Sequence, residues 1–389
     1  MKIEERIARR QHTESEPRLV LDYDALNPVS HNDEPVGRGA LIERLLDAIA
    51  PVFDGEAPTD LYVWGPKGAG KSAVIGALFA QLDRLLGRSD SQIYTSTRAV
   101  TAPGVEFVYV DARSANTGFA LLHAVLDQLV DDSVPKQGVG AEAIATRLRR
   151  RVETTGRTVV VAVDHSNEPE SLSAAAVFDR LTPFRPAIAC VLIGRDAPTG
   201  TAIADRETIR TVHVDAYRRH TLVEVLTNRT GDGLVRSATS HGQLRQLATW
   251  ADGDAHDALA ALFGAGVIAE QRGHDEIYPA DMAVGMQAVP RPGVSLGRVL
   301  SLPESRQRIL AQLIDLPEND RRSVGAAADA IDGDDIDLSR ATIERVLYEL
   351  AEAGIIRRVK STSTGTGRPP SRVELRFPTR VFRFLTSDE

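Results

Sequence analysis

Apolar positions along the chain fall into two regimes. In the first half, short and nearly continuous apolar runs alternate with longer stretches of helical periodicity. Asp60-Leu61-Tyr62-Val63-Trp64 is apolar after its first residue and predicts a short strand. Val105–Val110, ending at Asp111, predicts a second. Thr158–Val163, ending at Asp164, is almost continuously β-branched and predicts a third; Ala187–Gly194 predicts a fourth. The intervening GFALLHAVLDQLV and AEAIATRLRRRVE carry helical spacing. Apolar strands alternating with helices imply a parallel sheet covered on both faces.

The second half is helical until its end. A Pro/Gly stretch, Pro290-Arg291-Pro292-Gly293, predicts a hinge. Three helical patterns follow: Pro303–Leu316, Ser323–Ile331, and RATIERVLYELAEAG, with Ser339 as its N-cap and Gly354 placed to end it. Ile355–Val359 and Arg372–Phe377 then predict two strands around a Gly/Ser/Thr/Pro-rich loop. Three helices followed by a β-hairpin is the order of a winged helix-turn-helix.

Composition narrows the class. The 389 residues are 42% hydrophobic but only 5% aromatic, enough for cores of Ala, Val, Leu and Ile. No apolar run approaches the roughly 20 residues that span a bilayer, and the charged N-terminus lacks the apolar stretch of a secretory signal. The expectation is a soluble, cytoplasmic, nucleoid-associated protein with no membrane partner. The one cysteine, Cys190, excludes an internal disulfide framework and, inside the fourth strand, reads as a small buried hydrophobe. The formal charge of −8 is unevenly spread. Between Ile355 and Thr386 lie Arg357, Arg358, Lys360, Arg368, Arg372, Arg376, Arg380 and Arg383, against a single acid, Glu374. Scarce lysine and abundant Asp and Glu elsewhere suit a salt-rich cytoplasm.

The chemistry begins where the first strand ends. Gly65-Pro66-Lys67-Gly68-Ala69-Gly70-Lys71-Ser72 matches GxxxxGK[ST], with a strand before it and an apolar helical run from Ala73 after it. Glycines let successive N–H groups converge on phosphate oxygens, and the helix presents its positive end to the same anion. Lys71 is expected on the β- and γ-phosphates, Ser72 on magnesium, and Asp164 as the magnesium-side carboxylate at the end of the third strand. The ligand set is therefore ATP or ADP with Mg2+. His165 follows Asp164, where many ATPases of this architecture place a glutamate that polarises water. A neutral imidazole can accept a proton but supplies no fixed negative charge. Glu168 and Glu170 lie nearby on a loop.

From about Val29 to Leu385 the sequence resembles the archaeal origin-recognition and cell-division-cycle (ORC-type) initiator family of AAA+ ATPases. The resemblance rests on EPVGRGALIERLLDAIAPVFDGEAPTDLYVWGPKGAGKSAVI, VEFVYVDARSANTGFALLHAVLDQL and VDAYRRHTLVEVLTNRT, in that order. It implies an α/β AAA+ P-loop NTPase with a parallel sheet, an α-helical lid and a C-terminal winged helix-turn-helix. The corresponding domains are a flexible arm (1–28), the nucleotide-binding domain (29–213), the lid (214–289) and the DNA-binding domain (296–389). It also implies that Tyr217 and Arg229 help hold the nucleotide. The family's second sensor is an Arg in Gly-Asp-x-Arg; here Gly253-Asp254-Ala255-His256 puts a histidine there. The first sensor, usually Asn, is replaced by Gly194-Arg195-Asp196, and the arginine-finger region is short, with Arg206 and Arg210 read as surface charges or as fingers acting in trans. Altered residues at three hydrolytic positions beside an intact phosphate loop imply binding with weak or absent hydrolysis.

For the C-terminal module the expected partner is double-stranded DNA. Arg340, Thr342 and Arg345 lie at the start of the presumed recognition helix, within reach of base edges or phosphates. Arg357, Arg358, Lys360, Arg368 and Arg372 flank or occupy the wing. The leading reading is an origin-binding replication initiator, with other initiator subunits or a replicative helicase as further partners. The alternative is a nucleotide-switched regulator of transcription or plasmid maintenance without helicase loading. A third reading, an ATPase motor, requires turnover that His165 and His256 do not favour.

Overall fold

The computed structural model describes residues 18–86, 104–200, 203, 208–331, 338–360 and 371–387. The chain divides into two units: His31–Ala216, and Tyr217 onward together with the segment up to Ser30. No helix among the described residues is long and apolar enough to cross a membrane.

In the first unit, five parallel strands form one sheet in the order β2-β3-β4-β1-β5: β1 (Leu61–Trp64), β2 (Val105–Asp111), β3 (Thr158–Asp164), β4 (Ile188–Gly194) and β5 (Arg210–His213). The helices are α1 (Gly39–Ile49), α2 (Lys71–Leu86), α3 (Gly118–Leu129), α4 (Ala141–Thr155) and α5 (Ala174–Leu181). Strands β3 and β4 are buried at every residue, because helices cover both faces of the sheet. Two apolar cores result. One packs α1 and α2 against one face, and the other packs α3, α4 and α5 against the opposite face. Thr117 and Ser173 cap α3 and α5 by accepting from Ala120 N–H and Ala176 N–H. All strands run the same way, so their carboxyl ends, with the phosphate loop and Asp164, share one edge.

The second unit contains α6 (Arg219–Gly233), α7 (His241–Ala251), α8 (Ala255–Gln271), α9 (Pro279–Gln287), α10 (Leu296–Leu300), α11 (Glu304–Asp315), α12 (Val324–Ile331), α13 (Arg340–Glu352), the antiparallel hairpin β6 (Ile356–Lys360) and β7 (Ser371–Leu375), and a terminal α14 (Thr379–Thr386). Ser339 caps α13 as expected, and Gly354, at φ 73°, takes the left-handed turn after it.

Three features differ from the sequence reading. Residues 18–28, expected within a flexible arm, are built into this unit. Leu19, Val20 and Leu26 are buried, Val20 pairs with Leu234, and Val20 N–H and the Tyr23 hydroxyl both donate to Glu270. Helix α8 is so apolar that nearly every residue is buried, and it needs this cover. Pro290–Gly293, expected as a hinge, is a packed junction. Val294 N–H donates to Arg376 O at 2.7 Å, Arg291 stacks on Trp250 at 5.0 Å, and a Cβ on Gly293 would lie 2.4 Å from Pro290 O. One continuous core therefore runs from α6 to α14. Strand β5 and helix α14 were not predicted: the first is only four residues, and the second hides its apolar positions among arginines.

Candidate functional site: a phosphate loop and its carboxylate cluster

The phosphate loop leaves β1 at Gly65, whose φ of 151° and tight surroundings exclude a side chain; a Cβ there would meet Val214 O at 2.1 Å. Gly68 and Gly70 also hold positive φ, and Ala69 is fully buried under the loop. Helix α2 starts at Lys71, which aims its positive end into the loop. The Lys71 side chain is buried and donates to Gly65 O at 2.7 Å and Pro66 O at 2.8 Å, so its ammonium is satisfied within the loop. Pro66, Lys67 and Ala73 occupy the loop and first helical turn where the motif placed them. Arg38, which the sequence reading did not single out, props the loop by donating to Ala69 O at 2.8 Å and Asp215 O at 2.9 Å.

Asp164 ends β3 in register with Asp111 of β2 and is buried. The Ser72 hydroxyl hydrogen-bonds to it, which joins the phosphate loop to the expected magnesium-side carboxylate. Tyr109 donates to Asp164 Oδ2, and His165 N–H donates to Oδ1 at 2.6 Å. Burial alone would raise the Asp164 carboxyl, but the His165 charge and the Ser72, Tyr109 and backbone hydrogen bonds hold it below the usual range. Tyr109 is pushed well up, first by burial and then by the Asp164 charge, so the phenol remains a donor. No sequence signal marked Tyr109; only the β2–β3 pairing brings it to Asp164.

His165 lies between two carboxylates, with Nε2 3.6 Å from Asp164 and Nδ1 3.6 Å from Glu168. Glu168 is 8% exposed, and Arg195 reaches its Oε1 at 2.6 Å. Burial would raise the Glu168 carboxyl; His165, Arg195 and Arg113 more than offset that and hold it low. Arg113 is itself held by a forked ion pair with Asp111, with contacts of 2.6 and 3.0 Å. The loop that carries these groups has non-glycine residues at positive φ: His165, Asn167 and Glu170. Clustered left-handed residues cost conformational energy and persist only where other bonds fix them. Here Ser166 Oγ donates to Ile193 O, Ser171 Oγ to His165 O and Glu168 O, and Ala174 N–H to Asn167 Oδ1.

The lid residues expected on the nucleotide lie in the second unit, and two of them are engaged there. Arg229 is buried and donates to Ala25 O at 2.9 Å and Ser30 O at 2.5 Å. It thus anchors the N-terminal segment. His256 is also buried: Nε2 accepts Leu296 N–H at 2.8 Å, and Nδ1 lies 3.2 Å from Asp257 Oδ1. Its ring nitrogens contact α8 and α10, so this histidine ties the two helices together. Tyr217 is buried, with its N–H on Gly253 O at 3.1 Å.

In the C-terminal module the predicted arginines are exposed but ion-paired. Arg340 contacts Asp329 and Glu344, and Arg345 lies 2.6 Å from Glu349. Arg357 and Arg372 share Glu374, the single acid of the basic stretch, and Arg372 also reaches Glu318. Arg358 stacks on the exposed Tyr348 of α13 at 4.9 Å. The Thr342 hydroxyl bonds the capping Ser339 at 2.9 Å. Two residues of the basic stretch serve the fold: Arg376 donates to Pro292 O and Arg383 to Ala311 O. Lys360 is on β6, while Arg206 and Arg368 lie outside the described residues. Arg210 donates its backbone N–H to Asp60 O and its side chain to Asp47 O.

Residues 34–193 match the family model of the AAA ATPase domain. ORC1-type DNA replication protein 6 of Halobacterium salinarum is 23% identical over 347 residues, covering 85% of this chain and 86% of that protein. The ORC1-type DNA replication protein of Pyrococcus abyssi is 23% identical over 255 residues, 61% of this chain and 57% of that protein. Among solved structures, the Aeropyrum pernix ORC1 protein in complex with DNA superposes with a TM-score of 0.65 at 20% identity, covering 95% of this chain and 97% of that one. The A. pernix ORC2 protein in its ADPNP–ADP complexes superposes at 0.57 and 16% identity, covering 94% and 97%. The two structural matches show the fold. The chain thus contains an AAA ATPase domain and is similar over most of its length to an archaeal ORC1-type DNA replication protein.

Proposed function

We propose that this protein is an ATP-binding replication initiator that holds duplex origin DNA, with ATP as a conformational switch that turns over slowly or not at all. The observation that carries the reading is a phosphate loop set between its strand and helix, with Ser72 bonded to Asp164, beside altered hydrolytic positions. His165 stands where a water-polarising carboxylate would stand, and the nearby Glu168 is already committed to Arg195. Relatives are named replication proteins, and solved neighbours are described with DNA or with adenine nucleotides.

On this reading Lys71 leaves the Gly65 and Pro66 carbonyls for phosphate oxygens, a like-for-like exchange of acceptors. The Ser72 hydroxyl and Asp164 carboxylate are hard oxygen donors already within hydrogen-bonding distance of each other, a set that fits Mg2+. When bound, the ion neutralises charge on the β- and γ-phosphates. Tyr109 and His165 N–H orient the Asp164 carboxylate for that ion.

Helices α11–α13 and the β6–β7 hairpin are read as a winged helix-turn-helix, with α13 presented to the major groove and the hairpin to the backbone. Arg340, Arg345, Arg357 and Arg372 would exchange carboxylate partners for phosphates on binding, and the affinity falls as salt rises. Occupancy mapping in cells, paired with phosphate release by the purified protein, tests the reading. A few origin-like sites and little release are expected. Many promoter sites would favour the regulator, and sustained turnover abolished by Lys71→Ala would favour a motor.

A further inference from the structure

Four of the arginines that the DNA-binding reading assigns to α13 and the hairpin already hold carboxylates. On α13, Arg340 pairs with Glu344 one turn on, at 2.9 Å, and with Asp329 of α12; Arg345 pairs with Glu349 one turn on, at 2.6 Å. In the hairpin, Arg357 lies opposite Glu374 in the β6–β7 register and reaches it at 2.6 Å. Arg372 contacts the same Glu374 and also Glu318, from the segment between α11 and α12. Glu349 has a second cation, Arg306 of α11, at 2.7 Å. With Glu349 balanced by Arg306, the four arginines therefore face four further acids, Asp329, Glu344, Glu318 and Glu374, and carry no excess positive charge. Arg358 differs: it stacks on Tyr348 and has no carboxylate partner among the described residues. Exposed ion pairs contribute little to stability, so the fold does not depend on these. What they set is the charge that the surface offers to a polyanion.

We propose that these carboxylates are internal counterions that make duplex DNA binding only weakly dependent on salt. When a bare arginine reaches a phosphate, the duplex releases about one cation per contact, and affinity falls steeply as salt rises. Here the same exchange also frees carboxylates beside a polyanion, and those carboxylates draw cations from solution. Four phosphate contacts free four acids, because Glu349 stays with Arg306, so release and uptake nearly cancel. The fall in affinity with salt is then shallow and belongs mainly to Arg358. The pull of exposed arginines on any passing duplex is muted by the same acids, which leaves binding to depend on a fitted site. A chain of formal charge −8 thereby keeps its grip on DNA at salt concentrations where a bare basic surface would let go. This rests on the DNA-binding role proposed above.

The test is the dissociation constant for a labelled duplex from a site that the protein occupies in cells, measured with the full chain over a tenfold range of KCl. It is repeated with one variant carrying Asp329→Asn, Glu344→Gln, Glu318→Gln and Glu374→Gln together. A charge-matched control carries Glu43→Gln, Asp54→Asn, Glu56→Gln and Asp83→Asn, at exposed acids of the first unit. Thermal unfolding of each confirms that it is folded. Five uncompensated arginines give a slope of log affinity against log salt of about −4.5, and Arg358 alone gives about −1. The unmodified chain and the control are expected near the shallow value. The four-acid variant is expected to bind tighter at low salt, with a slope steeper by about 3. A slope as steep as −4.5 in the unmodified chain, by the same count, would overturn the proposal. So would equal slopes in the unmodified chain and the four-acid variant, or equal steepening in the control. Failure of the unmodified chain to bind any duplex would instead overturn the DNA-binding reading itself, and this proposal with it.

Discussion

Gly65→Ala probes the tightest point of the phosphate loop. The new Cβ would sit 2.1 Å from Val214 O and 3.1 Å from its carbonyl carbon, both backbone atoms. Val214 cannot retreat freely, because its N–H donates to Trp64 O at 2.8 Å at the end of the β1–β5 pairing. Accommodation therefore costs either that hydrogen bond, about 1 kcal/mol, or the loop's path. The φ of 151° adds about 1–3 kcal/mol of backbone strain for a residue with a side chain. The sum is about 2–4 kcal/mol, or roughly 5–15 °C in the melting of a unit this size. Gly76→Ala is the control: it lies within α2 with nothing within 4 Å of its Cβ position, and alanine there is neutral or stabilising by up to about 1 kcal/mol. Differential scanning calorimetry and nucleotide titration read both variants. Gly65→Ala should melt earlier and lose nucleotide affinity while Gly76→Ala does neither. Indistinguishable behaviour of the two would refute the close packing of loop against β5.

Asp281 is fully buried in the second unit and accepts from Arg272 at 2.6 Å, His274 at 2.8 Å and Tyr278 N–H at 3.0 Å. Asp281→Ala should cost about 1–3 kcal/mol in urea unfolding, because Arg272, His274 and Tyr278 N–H lose their shared acceptor. Burial opposes its ionisation, but these donors hold its carboxyl below the ordinary value. Its contribution is thus complete above about pH 4 and is lost as pH falls through the lowered folded value; Asp281→Asn should flatten that acid limb. Cys190, buried in β4 with its thiol pushed up to about 12, should not react with an aromatic disulfide reagent until the protein is unfolded. Glu374→Gln releases Arg357 and leaves Arg372 with Glu318 alone, and should tighten duplex DNA binding a few-fold at low salt, with the gain fading at high salt. Unchanged affinity would remove the hairpin from the DNA surface.

How much the sequence disclosed depended on whether the signal was local. Strand, glycines, lysine and serine are contiguous around Gly65–Ser72, so motif and structure agree residue by residue. Ser339 and Gly354 are legible for the same reason, since capping chemistry acts over one turn. Tyr109 and the pairing of Glu168 with Arg195 depend on strand order and register, and Arg38 on the placement of α1 beside the loop, so none of them was legible. Arg229 and His256 were assigned by resemblance alone. Their burial against Ala25, Ser30 and Leu296 joins residues 40 to 204 positions apart, which no local pattern encodes. The basic C-terminal stretch was legible as a count of arginines, but not the acids, Glu318 and Asp315, that other segments bring to Arg372 and Arg383.

The central claim is that nucleotide occupancy sets the DNA-binding state. Its most direct test is the dissociation constant for duplex origin DNA, measured with purified protein at fixed salt, without nucleotide and with saturating ATP and Mg2+. Binding should be tighter with ATP, with no such gain in Lys71→Ala. Equal affinity with and without ATP in the unmodified protein would contradict it.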